Sequence, residues 1–194
     1  MRRKQCEIND FNQIERILDV ATIGRMATLG VDGYPYITPV NFVYFKRNIY
    51  FHSAPAGEKL ENLTRSPNVC FEVDIPLACL DSGFDPDGGA CRLHQFYHCV
   101  IIRGYASLVQ DDYLKAECLN ALVGKHERRA YDGYVTLKTP GLAACVVVEI
   151  KPVTVTGKTD LWQYKPLDVR MRLAQYLSDR GAPGDLETVA SIRS

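Results

Sequence analysis

The stretch "YFHSAPAGEKL", Tyr50 to Leu60, carries more chemistry than a plain turn needs. A hydrophobic run ends in His52-Ser53, turns through Ala-Pro-Ala-Gly, and delivers Glu58-Lys59 into helix-forming sequence. If a helix begins near Gly57, its unpaired N–H groups and the positive end of its dipole attract an anion. Lys59 adds a full charge beside them, Ser53 a hydroxyl donor, and His52 a further, switchable donor. A phosphate is the natural guest of such a corner. The same residues also build an ordinary strand–turn–helix junction, with Ser53 as a local cap and Lys59 solvated, and side chains cap most helix starts.

Other constellations are thinner. Cys91, His94, His98 and Cys99 could supply zinc ligands if their segment folded tightly. His98 and Cys99 are adjacent, however, and point to opposite faces of a strand, so no metal site is expected. A Ser-His-Asp hydrolase finds no supporting nucleophile elbow in the sequence. His94 reads as a loop residue. "KHERR", Lys125 to Arg129, reads as an exposed charge run with His126 solvated. Trp162 could seal a pocket or pack the C-terminal segment, and packing is the simpler role.

The elements that must position these residues follow from composition and periodicity. The chain has 194 residues, 46% hydrophobic and 24% charged, with zero formal charge. That length buries a sizeable core without staples. The charge balance argues against a general nucleic-acid binder or a polybasic membrane surface. No apolar run is long enough to span a bilayer. The start, "MRRKQCEIND", lacks the apolar core of a signal peptide, so a cytoplasmic protein is expected. The seven cysteines are odd in number and form no CxxC pair. Several sit in apolar stretches, which suits reduced thiols acting as small hydrophobes.

Asp10 caps a first helix, with Gln13 placed as in a capping box and Ile14, Ile17, Leu18 and Ala21 on one face. "IGRMATL" and "YPYITPVNFVYF" then flank a hairpin turn at Asp32-Gly33. Pro35 and Pro39 lack an N–H, so the second of these strands is an edge, bulged or interrupted. "NIYFHS" pairs back across Lys46-Arg47, and "GEKLENL" is a short helix stopped at Ser66-Pro67. "NVCFEVD" alternates, with Val69, Phe71 and Val73 on one face. "DSGFDPDGGACRLHQ" has loop composition. Phe96 to Gln110 forms a long strand with a bulge or bend at Gly104. Asp111 or Asp112 caps a helix with Leu114, Cys118, Ala121 and Leu122 inward and Gly124 near its end. "ACVVVEI" is a buried strand, and the character changes after Lys158. There Pro166 starts a helix with Val169, Leu173, Tyr176 and Leu177 on one face, and Asp185 caps a last short one. About six strands with short turns and peripheral helices make a mostly β, antiparallel barrel or sandwich. The sequence has no βαβ rhythm and no G-x-G-x-x-G, which argues against a Rossmann dinucleotide site.

In this order, "GRMATLGVDGYPYITPVNFVY", "IYFHSAPAGEKLENLTRSPNVCFEVD" and "FYHCVIIRGYASLV" with its acidic-capped helix resemble the pyridoxamine 5'-phosphate oxidase-like flavoproteins. Among these the chain is most similar to the Nim-type, nitroimidazole-resistance-related branch. The resemblance covers roughly residues 1 to 155, far more than a lone motif. It implies an antiparallel split β-barrel that pairs into a homodimer, with FMN at the subunit interface. Residues 1–157 would be the FMN-binding split-barrel domain, and 158–194 a C-terminal helical tail packing on the barrel or the partner subunit. Carried onto this chain, it implies that Thr38, Pro39, Val40 and Asn41 line the flavin on one strand, followed by Phe51, His52 and Ser53 on the next. Lys59, with the Gly57-Glu58 backbone, would hold the phosphate. Cys99 and Val100 would approach the ring from the later long strand, with Arg103 near.

The resemblance also implies an activity: an FMN-dependent oxidoreductase, with His52 as the catalytic candidate, reducing a small electrophilic, nitroaromatic-type substrate with electrons from NADH or NADPH. A non-catalytic flavin-binding protein is the alternative, as is a haem-handling relative with His52, His94 or His98 on iron. The chain departs from the oxidase proper. "YITPVN" replaces a basic strand segment, Glu58-Lys59 replaces an Arg-Lys pair, and "LWQYKPLDVRMR" does not match the oxidase's C-terminal substrate-binding Trp and Arg elements. Vitamin B6 oxidation is therefore not expected.

Overall fold

The computed structural model describes residues 2–88, 93–130 and 132–193. Eight strands dominate: β1 (Glu7–Ile8), β2 (Ile23–Leu29), β3 (Pro35–Asn41), β4 (Val43–Phe45), β5 (Asn48–Ser53), β6 (Asn68–Leu80), β7 (His94–Leu108) and β8 (Val146–Asp160). Five helices accompany them: α1 (Phe11–Val20), α2 (Glu58–Arg65), α3 (Asp112–His126), α4 (Leu167–Arg180) and α5 (Asp185–Arg193). The sheet order is β3-β2-β6-β7-β8-β5-β4, with β1 paired to β8. The β2–β3, β2–β6, β4–β5, β5–β8 and β1–β8 ladders are antiparallel. The two ends of that order, β3 and β4, are joined through the single residue Phe42. The strand order therefore runs back on itself, the connectivity of a split β-barrel.

Local chemistry explains the turns. Gly33 N–H bonds to Gly30 O, Gly30 N–H to Tyr34 O, and the Asp32 carboxylate takes Tyr34 N–H at 3.0 Å, which closes the β2–β3 hairpin. Pro35 and Pro39 sit on β3, the last strand of the order, where a missing donor costs no inner ladder bond. Lys46 and Arg47 turn β4 into β5 with φ of 49° and 65°, the left-handed pair of a tight hairpin. Asp10 caps α1 through Asn12 N–H at 2.9 Å. Asp111 caps α3 by accepting from Tyr113 and Leu114 N–H.

The chain forms two compact units. One gathers the described residues of 14–73 and 100–155. Its interior holds Met26, Phe42, Ile49, Phe51, Phe71, Val100 and Ile102, all fully buried, with Phe42 and Phe71 edge-to-face at 5.0 Å. Cys118 and Leu122 of α3 pack there on Val43, Tyr50 and Val147. The other unit gathers the described residues of 1–13, 74–99 and 156–194. In it Leu173, Leu177 and Ile192 of the terminal helices cover Leu77, Ala78, Leu80 and Phe96. Each such large apolar side chain contributes about 1.5–3 kcal/mol of transfer free energy.

Several elements run past their sequence signals. β6 continues beyond Asp74 to Leu80, and β8 continues beyond Ile150 to Asp160, through the expected boundary at 157. β7 is unbroken at Gly104; a Cβ there would lie 2.2 Å from the Lys151 carbonyl oxygen, so the glycine serves close strand approach rather than a bulge. α3 passes through Gly124 and ends at His126. Asp185 does not sit outside the last helix as a cap. It is the first residue of α5, fully buried, and its carboxylate binds Arg180 and the Ala182 N–H.

Candidate functional site

α2 begins where the sequence places it, and its start is bare. Gly57 is the N-cap, at φ 127°, and no side chain caps the helix. Leu60 and Glu61 N–H both turn back to Gly57 O, which leaves the Glu58 and Lys59 N–H groups without helical partners. A Cβ on Gly57 would meet nothing within 4 Å, so the glycine is there for its backbone conformation and the space beside it is open. Lys59 is half-buried and forms no ion pair among the described residues. Glu58 and Glu61 in the first turn already answer part of the helix dipole, and Lys59 is the one full positive charge set between them. Ser53 contributes less than its type suggests, because its hydroxyl donates to the Ala54 carbonyl at 3.0 Å. The helix is fixed from its other end: buried Asn62 donates to Thr28 Oγ1 at 3.0 Å, and Arg65 donates to Asn62 Oδ1.

Strand alternation divides the four residues expected together on β3. Thr38 pairs with buried Met26 and is itself half-buried, as is Val40, whereas Pro39 and Asn41 are exposed on the other face. Thr38 Oγ1 is buried and has no hydrogen-bond partner among the described residues. An orphaned hydroxyl of that kind costs about 1–3 kcal/mol, which a bound polar group would offset. On β5, Phe51 is wholly buried and His52 exposed. Phe51 and Val100 have their side chains in the core, so only their backbone can face a ligand.

Asn41 and His52 meet in one cleft of about 530 Å³. Its other wall comes from α3 and its sequel: Leu119, Leu122, Val123 and His126, with Val135 beyond. The cleft is mostly apolar, with two imidazoles, an amide and the Glu127 carboxylate as its directional groups. His126 is therefore not solvated. Its Nε2 lies 2.9 Å from Phe42 O, and neighbouring Lys125 donates to Leu18 O at 2.7 Å while sitting 3.7 Å from the Phe42 ring centre. Burial pulls the Lys125 ammonium down to about 8. The signal for His126 was the helical spacing from Leu122 on the packed face of α3, four residues on, rather than the charge run that follows it.

Arg103 lies elsewhere, in a shallow depression with Cys70, Tyr105 and Val153. Cys99 is half-buried and belongs to the other unit, as do His94 and His98. His98 Nδ1 is 2.8 Å from Thr159 Oγ1, and His94 packs on Phe96 and Trp162. Burial lowers the pKa of both imidazoles. Among the described residues no group of three or more His, Cys, Asp or Glu could hold a metal ion, and Cys91 lies outside them.

The sequence model described as "Pyridoxamine 5'-phosphate oxidase" matches residues 10–159. No curated protein matches the chain. Among solved structures, one from Bacteroides thetaiotaomicron, named for 5-nitroimidazole antibiotic resistance, aligns at 24% identity and TM-score 0.65, covering 78% of this chain and 85% of that one. The flavocytochrome Anf3 from Azotobacter vinelandii aligns at 21% identity and TM-score 0.65, covering 82% and 72%. The FAD and heme binding protein from Mycobacterium smegmatis aligns at 16% identity and TM-score 0.63, covering 85% and 78%. At these identities the likeness is one of fold. No helix of the described residues is long and apolar enough to cross a membrane.

Proposed function

From the premise that the chain belongs to the pyridoxamine 5'-phosphate oxidase family, we propose that it is a flavin-dependent oxidoreductase holding FMN. The observation that carries this reading is the bare start of α2: two unpartnered N–H groups, a glycine cap open to solvent, and an unpaired Lys59. A phosphate monoester, close to doubly charged, is the guest that such a corner suits. Thr38 with its unsatisfied hydroxyl, the β3 backbone, and exposed His52 beside half-buried Ser53 at the end of β5 would give a ring system polar contacts. The names of structures with this fold, a flavocytochrome and an FAD and heme binding protein, support a flavin in general.

Bound flavin would supply the hydride and electron chemistry. The chain's own part is to orient a substrate and manage a proton beside it. Asn41 and His52 are placed for this, on the rim of an apolar cleft, where His52 donates a hydrogen bond or a proton to an electronegative group of the substrate. A small electrophile of nitroaromatic type, reduced with electrons from NADH or NADPH, suits the cleft's apolar lining. A homodimer with FMN at the subunit interface follows on this reading. The exposed Ile101, Tyr105 and Val153 offer it an apolar face, with 39%, 53% and 60% of their surface accessible.

Absorbance tests the proposal. Purified protein incubated with FMN and desalted should keep the two flavin bands, bleach with NADH or NADPH, and recover on adding a nitroaromatic acceptor. Colourless protein after desalting would overturn the flavin reading. A lone Soret band would replace it with haem. Bands that never bleach would leave a flavin binder without this activity.

A further inference from the structure

The unit that contains the terminal helices holds a second cavity, of about 560 Å³. Its wall is aromatic: Phe84, Trp162 and Tyr164 line it, with Phe84 and Trp162 edge-to-face at 5.9 Å. Two cations stand over those rings. Lys165 Nζ is 5.8 Å from the Trp162 ring centre and 5.7 Å from that of Tyr164, and the Arg172 guanidinium is 5.6 Å from Phe84. Neither cation has a carboxylate partner among the described residues. Asp81 and Asp85 also line the cavity; Asp81 spends its charge on Arg180 at 2.6 Å, and Asp85 has an interaction of its own. His94 lines it too. Its Nε2 is buried, faces Asp160 Oδ1 at 3.5 Å, and makes no hydrogen bond.

The backbone at this wall is strained. Trp162 is at φ 56°, a conformation that a bulky non-glycine residue rarely adopts. The turn is held there by Gln163, whose amide donates to Thr159 O and Gln5 O, and by Lys165 N–H on Trp162 O. Strain maintained by several bonds, and spent on setting an indole in a cavity wall, points to a use for that indole.

We propose that this cavity binds a planar aromatic carboxylate, its ring against Phe84 and Trp162 and its acid group on Lys165 and Arg172. The rings give a flat apolar wall. The unpaired cations give charge where the aromatic wall gives none, and His94 gives a ring substituent a hydrogen-bonding partner. The cavity shares no lining residue with the α2 corner, and binding in it does not depend on flavin being bound there.

Trp162 is the chain's single tryptophan, so one indole N–H signal reports on the cavity in the full-length, isotope-labelled protein. The probes are 1-naphthoate, the uncharged 1-naphthalenemethanol, and inorganic phosphate. Naphthoate should shift the indole signal saturably, the alcohol should bind at least about tenfold more weakly, and phosphate should leave the signal in place. Lys165→Ala with Arg172→Ala, both at exposed positions, should weaken naphthoate by a similar factor. An unmoved indole, an alcohol that binds as tightly as the acid, or an unchanged affinity in the double variant would overturn the proposal. So would release of bound flavin by naphthoate, because the cavity would then be part of the flavin site. Protein that binds naphthoate but never FMN would leave this site standing while refuting the flavin reading.

Discussion

His126 places its Nε2 2.9 Å from the carbonyl oxygen of Phe42, the one residue between β3 and β4. A carbonyl only accepts, so this nitrogen carries the hydrogen. The helix end thereby ties down the residue that joins the two ends of the sheet order, directly beside the cleft shared by Asn41 and His52. His126→Ala should destabilise the protein by about 1–2 kcal/mol through an unsatisfied carbonyl and lost packing. It should also speed amide exchange in residues 41–45. Urea unfolding and hydrogen exchange check both; an unchanged midpoint with unchanged exchange would show that the bond ties nothing.

Lys59→Ala should weaken FMN by about 1–3 kcal/mol, the worth of a charged hydrogen bond. It should leave the thermal midpoint of the ligand-free chain almost unmoved, because Lys59 has no internal partner to lose. Titration calorimetry and a thermal melt separate the two effects. Equal FMN affinity in the variant would mean that the ammonium points to solvent and nothing more.

Gly57→Ala tests the backbone side of the same corner. Space is not the obstacle, since a Cβ there meets nothing, but φ 127° is barred to alanine. The expected cost is about 1–3 kcal/mol of stability, with FMN affinity lost as the N–H groups turn away. A variant as stable as the parent would show that the cap can relax and that its geometry is not required.

His94 and His98 fix the acid side of the stability profile. Burial holds both folded-state values below the ordinary 6.5, so between that value and the lower folded ones the unfolded chain binds more protons. Stability should therefore be full above about pH 6.5 and fall as the pH drops below it through the lowered folded-state values. His98→Gln should flatten part of that slope. Urea midpoints across the range decide it, and a slope identical in parent and variant would remove His98 from the account.

The strand-rich plan was legible because its signals are local: Asp32-Gly33 for the hairpin, alternation in Val69, Phe71 and Val73, Asp111 before an apolar helix face. The start of α2 was legible for the same reason, since Gly57 and Lys59 are neighbours in the chain. What was hidden depends on tertiary pairing. β8 runs on to Asp160 through a polar stretch because its partners there, Glu7 and Ile8, come from the far end of the sequence. Thr38, Pro39, Val40 and Asn41 look like one site in a row, yet the period of a strand sends them to two faces. His126 looked solvated because its partner, the Phe42 carbonyl, is a backbone group that no side-chain pattern marks. Trp162 was read as packing and does pack on Phe96 at 5.6 Å, but the strained turn that also sets it in a cavity wall has no sequence signature.

The central claim is that a flavin phosphate rests on the start of α2. The most direct measurement is a crystal structure of the full chain grown with excess FMN. Phosphate oxygens are expected within hydrogen-bond distance of the Glu58 and Lys59 N–H groups and of Lys59 Nζ. Flavin density with its phosphate held by other residues, or that helix start closed by the protein's own side chains while FMN is in excess, would contradict it.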